Sequence, residues 1–288
     1  MASRAPVIAV VAAVIMAAHL ASGSGYDQAA APFTTSDWQE GSATFYYLEY
    51  AYYACMCYAF AALHGNDHWN ACRGGACGYG ANDIQSLYST RTAALSTPLF
   101  ASGSGCGQCY ELRCVNSRWC NPGSPSVVVT GTNLCPPNWN LPSDNGGWCN
   151  PPRQHFDMAP PSFLILAPRV AGIVPVQFRR VPCQRSGGVR FYVQGNYYWL
   201  LLYVMNVGGS GDFGDLAVKR AGEPDCNYVP ASRNWGITYQ VFAALGNTRG
   251  LVVRTTSYSS PRKTIVVDDA ITAWWSTGLS YQGSNNFY

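Results

Sequence analysis

Beyond residue 188 the chain alternates between short apolar stretches and turn residues. Val, Ile, Leu and Tyr dominate the stretches, and Gly, Asn or Pro stands between most of them. Apolar, β-branched and aromatic residues at this spacing are typical of the strands of a β-sandwich. We therefore predict six strands, at residues 189–193, 197–204, 216–219, 239–243, 251–255 and 263–267.

The part of the chain before residue 184 has a less regular pattern. Residues 126–130 are rich in β-branched side chains and residues 172–181 alternate apolar and polar positions, so both stretches predict strands. The best helix candidates are residues 93–100 and 161–167, and the serine and glycines at 186–188 predict a linker. The pattern indicates two domains with mostly β structure.

Composition supports this class and excludes others. Charged residues make up 11% of the chain and aromatic residues 14%, with 29 Gly and 18 Pro, which suits strands and turns better than long charged helices. The formal net charge is +3, and the Lys and Arg residues are scattered rather than arranged in a stripe. Nothing in this distribution indicates a nucleic-acid partner.

The first 24 residues have the layout of a secretory signal. Arg4 precedes an apolar run at residues 6–18, and small residues follow. A membrane-spanning helix needs about 20 apolar residues, so this run is too short to be an anchor. We predict cleavage after this segment, secretion and no integral membrane segment.

The chain contains 12 cysteines, and all but Cys226 lie before residue 184. In a secreted protein this number predicts disulfides that staple the first domain. Zinc is the competing interpretation, because Cys106 and Cys109 have ligand spacing. No second pair of this kind follows, so we predict disulfides and neither a metal nor another cofactor.

One carboxylate stands out in the run WCNPPRQHFD at residues 148–157. Asp157 follows Phe156, an aromatic ring on which a sugar could stack, and has no obvious acidic partner. Hydrolysis of a glycosidic bond normally takes two carboxylates, so an isolated one indicates sugar binding or a disabled hydrolase. The alternative is that Asp157 caps the helix predicted after it.

Further motifs occur in order from residue 74 to the end of the chain. They are GGACGYG at 74–80, TAALST at 92–97, CGQCYELRC at 106–114, TNLCPPN at 132–138, GGWCNPP at 146–152, HFD at 155–157, AGIVPVQFRRVPC at 171–183, GNYYWLLLYVMNVGGSGD at 195–212 and SRNWG at 232–236. Together they resemble the plant α-expansins, and GGWCNPP resembles the α branch rather than the β branch.

The resemblance implies an all-β protein with two domains. Residues 25–184 would form a six-stranded double-psi β-barrel similar to family 45 glycoside hydrolases, and residues 188–288 an immunoglobulin-like β-sandwich that binds polysaccharide. The resemblance also implies the pairs Cys77–Cys106, Cys109–Cys183, Cys114–Cys120 and Cys135–Cys149. Cys55, Cys57, Cys72 and Cys226 lie outside that set.

Residues 47–73 depart from the family pattern. An α-expansin would have a short glycine-rich stretch here, whereas this segment is longer and rich in tyrosine and alanine. The first conserved aspartate of the family therefore has no clean counterpart, Asp67 being the nearest. The segment could fill part of the cleft, form a lid or reflect a misread exon boundary, and we favour the last hypothesis.

The resemblance places five residues in the cleft of the barrel: Thr44, Tyr46, Asn133, His155 and Asp157. The matching aspartate of the hydrolases is the general acid, and expansins lack its partner base. Each residue also has a plainer interpretation: Thr44 and Tyr46 in an ordinary first strand, and Asn133 as a turn residue. We expect His155 to orient a loop rather than act as a base.

The resemblance also assigns sugar-stacking positions to Tyr198, Trp199 and Trp235 in the second domain. Aromatic rings lose little entropy when they bind a sugar face. Neighbouring residues of a strand face opposite sides, so we predict that Tyr198 is exposed and Trp199 points inward. For the same reason one of Trp274 and Trp275 should be part of the core.

The expected function is that of a secreted monomer in the plant cell wall. It would bind cellulose and xyloglucan or other wall glucans and disrupt their noncovalent contacts at acidic pH without hydrolysis. An endoglucanase is an alternative that requires Asp67 or Glu49 opposite Asp157. A second alternative is a polysaccharide-binding module whose cleft is blocked by residues 47–73.

Overall fold

The structure is a computed structural model that describes residues 32–46 and 75–288. The predicted signal at residues 1–24 and the segment 47–73 lie outside the described residues. The same is true of Glu49, Asp67 and the cysteines at 55, 57 and 72. In the described part of the chain, no helix has the length and apolar character needed to cross a bilayer.

Six strands of the first domain close into a barrel. They are β1 (Gln39–Phe45), β2 (Thr92–Leu95), β3 (Cys109–Cys114), β4 (Ser126–Leu134), β5 (His155–Met158) and β6 (Val174–Arg180). Their order around the barrel is β1-β5-β2-β4-β3-β6. Three short α-helices connect them: α1 (Ala81–Leu87), α2 (Thr97–Phe100) and α3 (Pro160–Leu166). Single 3₁₀ turns follow at Ala101–Gly103 and Arg169–Ala171.

Alternation along the strands divides the barrel into a packed interior and an outer face. Phe156 is fully buried, and its ring centroid lies 5.2 Å from that of Tyr110 and 4.9 Å from that of Phe178. Because successive strand residues face opposite sides, the neighbours His155 and Asp157 lie on the outer face. The barrel thereby presents polar side chains on one side of an apolar core.

The second domain contains eight strands and one 3₁₀ turn, Asp225–Asn227. The strands are β7 (Arg190–Asn196), β8 (Trp199–Met205), β9 (Asp215–Arg220), β10 (Val229–Trp235), β11 (Thr238–Phe242), β12 (Leu251–Thr256), β13 (Thr264–Ile271) and β14 (Ser280–Gln282). Their order is β13-β12-β9-β10-β11-β8-β7-β14. The first half of β10 pairs with β9 and its second half with β11. This shared strand allows the two halves to pack as a sandwich around one core.

Each of the six strands predicted for the second domain overlaps an observed strand. The predicted helix at 161–167 is observed as α3, but the predicted helix at 93–100 is wrong in its first half. Ala93–Leu95 belongs to β2, which pairs with β4 on one side and β5 on the other. Tertiary pairing there overrides the helix propensity of alanine.

Four disulfides cross-link the first domain: Cys77–Cys106, Cys109–Cys183, Cys114–Cys120 and Cys135–Cys149. They are the same four pairs that the family resemblance implies. Cys109–Cys183 closes the longest of these loops, with a sequence separation of 74. Constraint of the unfolded chain by a loop of this length contributes roughly 4 kcal/mol in the chain-entropy model. Among the described cysteines, Cys226 is free and exposed.

Asp212 ties the two domains together. Its side chain is 2% exposed, lies in the second domain, and accepts a hydrogen bond of 2.9 Å from Gln108 Nε2 of the barrel. Arg180 Nη2, on β6 of the barrel, lies 3.3 Å from the same carboxylate. The backbone amides of Tyr258 and Ser259 donate to it at 3.1 Å. A buried charge with this many partners holds the domains in one arrangement.

We expect Asp212→Asn to lower the free energy of unfolding by about 3 kcal/mol or more, because it leaves the half-buried Arg180 guanidinium unpaired. Asp215→Asn is the matched control, since its ion pair with Arg262 is solvent-exposed and should contribute at most about 1 kcal/mol. Urea unfolding of both variants measures the difference. Equal, small losses would contradict the role assigned to Asp212.

Candidate functional site

The candidate site is a row of residues across four neighbouring strands of the barrel's outer face. Thr44 of β1 pairs with Asp157 of β5, Asp157 with Ala94 of β2, and Ala94 with Asn133 of β4. Adjacent strands lie about 4.8 Å apart, so the row from Thr44 to Asn133 is roughly 14 Å long. The small side chain of Ala94 keeps the middle of this row low. The result is a shallow floor that could hold a few sugar rings.

A chain of hydrogen bonds runs beneath Asp157. Thr44 Oγ1 donates to Asp157 Oδ1 at 2.9 Å and lies 2.8 Å from His155 Nε2. His155 Nδ1 lies 2.8 Å from Ser42 Oγ, and the backbone amide of His155 donates to Ser96 Oγ at 3.0 Å. Strands β1 and β5 supply Ser42, Thr44, His155 and Asp157, and Ser96, which follows β2, accepts from the backbone of β5.

The directions of these hydrogen bonds follow from the number of protons available. A threonine hydroxyl has one proton, and Thr44 gives it to the Asp157 carboxylate. His155 Nε2 must then donate to Thr44. A neutral imidazole carries a single N–H, so Nδ1 accepts and Ser42 donates. For a neutral ring, this geometry defines the Nε2–H tautomer of His155.

Burial keeps His155 neutral. The side chain has no exposed surface, and desolvation, reinforced by the nearby Arg153 guanidinium, lowers its pKa from 6.5 to about 3. A sugar cannot touch this ring. His155 lies on strand β5 rather than in a loop, and in this geometry it orients the hydroxyl of Thr44.

Asp157 is partly buried, and its pKa shifts in the opposite direction. Desolvation raises the pKa of the carboxyl above its ordinary value of 3.8, and the hydrogen bond from Thr44 only partly offsets this. Oδ1 is occupied by Thr44, which leaves Oδ2 as the oxygen that can carry a proton. The alternative that Asp157 caps a helix is wrong, because α3 begins at Pro160 with Ala159 as its N-cap and without a side-chain cap.

Tyr46 directly follows the end of β1. It stands two residues after Thr44 and so lies on the same face. Its hydroxyl is 3.3 Å from Thr92 Oγ1. Burial raises the pKa of the phenol, so Tyr46 is neutral at any pH that a cell wall would reach. The ring is half-buried near Asp157, and the hydrogen bond between its hydroxyl and Thr92 fixes its position.

Asn133 closes the other end of the row. Its Oδ1 accepts hydrogen bonds from the backbone amides of Ala76, at 2.6 Å, and Leu134, at 2.9 Å. A Cβ added at Gly75 would lie only 2.4 Å from the Asn133 side chain, so this glycine permits the close approach. Asn133 lies at the end of a strand and holds the segment at residues 75–76. It is not a turn residue.

The second domain presents aromatic side chains on the outer face of strands β7, β8 and β11. Trp199 pairs with Phe242 across β8 and β11, and their ring centroids are 6.4 Å apart. Leu200 and Leu202, its neighbours on the opposite face, are fully buried. The prediction that Trp199 points inward is therefore wrong. It failed because Tyr198, which is exposed, lies in the turn before β8 and not on the strand.

Trp275 is 1% exposed and Trp274 is 73% exposed, which confirms that one of this pair belongs to the core. Trp235 is half-exposed at the junction of the two domains, where its ring lies against Phe100 of the barrel. Of the three predicted sugar-stacking residues, Trp199 thus lies on the outer face beside Phe242, Tyr198 in the adjoining turn, and Trp235 at the junction of the two domains.

Sequence reasoning missed three residues of these surfaces. Ser42 fixes the tautomer of His155, Ala94 forms the floor, and Phe242 completes the aromatic pair with Trp199. The β1 sequence places Ser42 and Thr44 two residues apart and hence on one face, which was an available signal. The strand pairings that bring Ala94 and Phe242 to the site were not readable from the chain.

Comparison with known protein families identifies both domains. A family model described as lytic transglycolase matches residues 92–178, and the expansin C-terminal domain matches residues 189–272. Expansin-A17 of Oryza sativa subsp. japonica is 68% identical over 260 residues, which cover 90% of this chain and 85% of that protein. Expansin-A7 of Arabidopsis thaliana is 52% identical over 80% of this chain and 85% of its own length.

Solved structures show the same fold. An apo expansin of Clavibacter michiganensis and a point mutant of it in complex with cellohexaose both match with a TM-score of 0.57 and 17% identity. Each match covers 88% of this chain and 98% of the bacterial one. The fold is thus a double-psi β-barrel followed by an immunoglobulin-like sandwich. The chain belongs to the expansin family, and its relatives place it among the α-expansins.

Membership in this family defines the broad role of the protein. It is an extracellular protein of the plant cell wall that loosens the wall. The predictions of the family, the fold class and this general role are confirmed.

We expect the buried, neutral His155 to make the fold less stable in acid. The unfolded state takes up a proton below about pH 6.5, whereas the pKa in the folded state is about 3. The stability that neutral His155 contributes above pH 6.5 is therefore lost as the pH falls from about 6.5 to about 3. The loss attributable to His155 at pH 4 is roughly 3 kcal/mol.

Urea unfolding of the wild type and of His155→Gln at pH 7 and pH 4 measures this effect. The difference in unfolding free energy between the two proteins should shrink by most of that amount at the lower pH. A difference that is the same at both pH values would show that His155 takes up its proton equally in the folded and unfolded states.

Proposed function

We propose that this protein loosens the wall by competing for noncovalent contacts between cellulose and matrix glucans, with highest activity at acidic pH and without hydrolysis. It acts as a monomer, with a barrel at residues 25–184 that grips a glucan and a sandwich at residues 188–288 that binds polysaccharide. In this proposal Thr44, Tyr46, Asn133 and Asp157 contact the sugar in the barrel. His155 positions Thr44.

The observation that carries the proposal is the single carboxylate in the row from Thr44 to Asn133. The other members of this row are a hydroxyl, a methyl group and an amide. None of these can serve as the second carboxylate that activates water or attacks the sugar. The row offers hydrogen-bonding groups along a low floor, which suits binding of a glucan chain.

The raised pKa of Asp157 supports the proposed acid dependence. As the pH falls, protonation converts Asp157 Oδ2 from an acceptor into a donor, while Oδ1 still accepts from Thr44. A buried carboxyl takes up this proton at a higher pH than an exposed one. The protonated form can donate to a glucan oxygen that would otherwise accept a hydrogen bond from a neighbouring glucan.

The outer face of the sandwich supports binding of a flat polysaccharide surface. Trp199 and Phe242 offer adjacent rings, and Tyr198 is exposed in the adjoining turn. Such rings pack against the C–H faces of sugars without losing much entropy. The bacterial expansin with the same fold was solved in complex with cellohexaose, which supports cellulose and related wall glucans as ligands.

Asp157→Asn should make wall extension nearly independent of pH, because its amide donates from Nδ2 at every pH, as the protonated carboxyl does only in acid. The measurement is creep of a heat-inactivated wall specimen under constant load at pH 4.5 and at neutral pH, with wild type and variant at equal concentration. The wild type should extend the wall only at the acidic pH.

Reducing-sugar release from cellulose and xyloglucan in the same samples tests the hydrolytic alternative. Release by the wild type that is lost in Asp157→Asn would contradict the non-hydrolytic proposal and indicate an endoglucanase. Binding without creep in the wild type would instead favour a pure binding module.

Trp199→Ala and Phe242→Ala should each weaken binding to insoluble cellulose by about 5- to 30-fold, from loss of one ring of the pair. Tyr258→Ala is the control, because Tyr258 is exposed and contacts Gly214, away from β8 and β11. Depletion isotherms on cellulose give the affinities. Equal affinity of all three variants and the wild type would remove this face from the proposal.

A further inference from the structure

The SRNWG motif at residues 232–236 forms the end of β10 and the turn into β11, and this turn docks onto the barrel. The backbone amide of Ile237 donates to the carbonyl of Cys77 at 2.9 Å. A Cβ added at Gly236 would lie 2.3 Å from that carbonyl oxygen. Gly236, with a φ of +50°, is thus required where two backbones meet.

Arg233 makes the second set of docking contacts. Its guanidinium donates to Ser104 Oγ at 2.9 Å and to the carbonyl of Gly103 in the barrel. Its Nε donates to the carbonyl of Gly236 at 3.0 Å, within the turn itself. The three acceptors thus occupy all three guanidinium nitrogens, an arrangement that a single ammonium nitrogen cannot reproduce.

Trp235 makes the third contact. Its indole Nε1 donates to the carbonyl of Ala76, and its ring centroid lies 5.8 Å from that of Phe100. The amide of Ala76, on the other side of the same residue, donates to Asn133 Oδ1. Ala76 is therefore held from two directions, by the cleft of the barrel and by the sandwich.

The disulfide Cys77–Cys106 joins the two barrel segments that receive the turn, residues 75–78 and 103–106. The indole therefore acts directly on residues 75–78, whereas the Arg233 guanidinium acts on residues 103–104 and is linked to residues 75–78 through the disulfide. Ala76 in the first of these segments donates to Asn133, at one end of the cleft row.

We propose that Arg233 and Trp235 are positioning residues that clamp residues 75–78 against Asn133, so that a glucan crossing from barrel to sandwich meets one continuous, rigid surface. The inference rests on the proposed function for its ligand. It assigns to the SRNWG motif a role in joining the two binding surfaces, beyond any stacking by Trp235.

Two variants test the clamp. Arg233→Lys removes the three-way docking without changing an aromatic ring, and Trp235→Phe keeps a ring but removes the indole N–H. Arg220→Lys is the matched control, because Arg220 pairs with Glu223 inside the second domain. Hydrogen exchange by mass spectrometry reports on peptides covering residues 75–80 and 131–135, and depletion isotherms on cellulose report on binding.

Both clamp variants should accelerate exchange in these barrel peptides by about five-fold or more, the change that corresponds to one lost hydrogen bond. Their affinity for cellulose should fall by a similar factor, and Arg220→Lys should change neither quantity. Faster exchange confined to the sandwich turn would overturn the proposal. Unchanged cellulose affinity despite faster exchange in the barrel would also overturn it.

The two measurements test the clamp and the proposed function separately. A wild-type protein that does not bind cellulose would contradict the proposed function. The exchange measurement needs no polysaccharide, so it would still decide whether the turn holds residues 75–78.

Discussion

The site depends on one buried imidazole that is held neutral. His155 has no contact with solvent, and its two nitrogens are occupied by Ser42 and Thr44. Because its Nε2 donates, the hydroxyl of Thr44 has to point its proton at Asp157. A charged His155 would still donate from Nε2 but could not accept from Ser42 and would be a bare cation in the barrel wall. The neutral ring therefore fixes both the geometry of Thr44 and the electrostatics around Asp157.

Burial moves the pKa values of the two titratable groups in opposite directions, upward for the acid and downward for the base. In an acidic wall the chain from Ser42 to Asp157 can consequently be neutral throughout. A neutral carboxyl can donate a hydrogen bond to a sugar, which an ionised one cannot. A raised pKa also suits a general acid, so what disfavours hydrolysis is the row from Thr44 to Asn133, in which the described residues supply no second carboxylate. This is the basis of the proposal that the surface competes for hydrogen bonds between glucans.

Much of the fold could be predicted from the chain, since alternating apolar residues and turn residues define the strands of the sandwich. Strand β10 was missed because Pro230 and the polar run that ends in Trp235 obscure the alternation. The helix predicted over 93–100 was half wrong because the alanines of β2 are covered on both sides by neighbouring strands. The candidate site residues other than Thr44 and Tyr46 lie within the family motifs. The structure was needed for the strand pairings, which bring Ala94 and Phe242 to these surfaces.

The most direct test of the account is a titration of the Asp157 carboxyl by carbon-13 NMR in labelled protein, assigned by comparison with Asp157→Asn. The account predicts a pKa above the ordinary value of 3.8 and acid-induced creep that rises over the same pH range. A carboxyl that stays ionised while creep develops would contradict it.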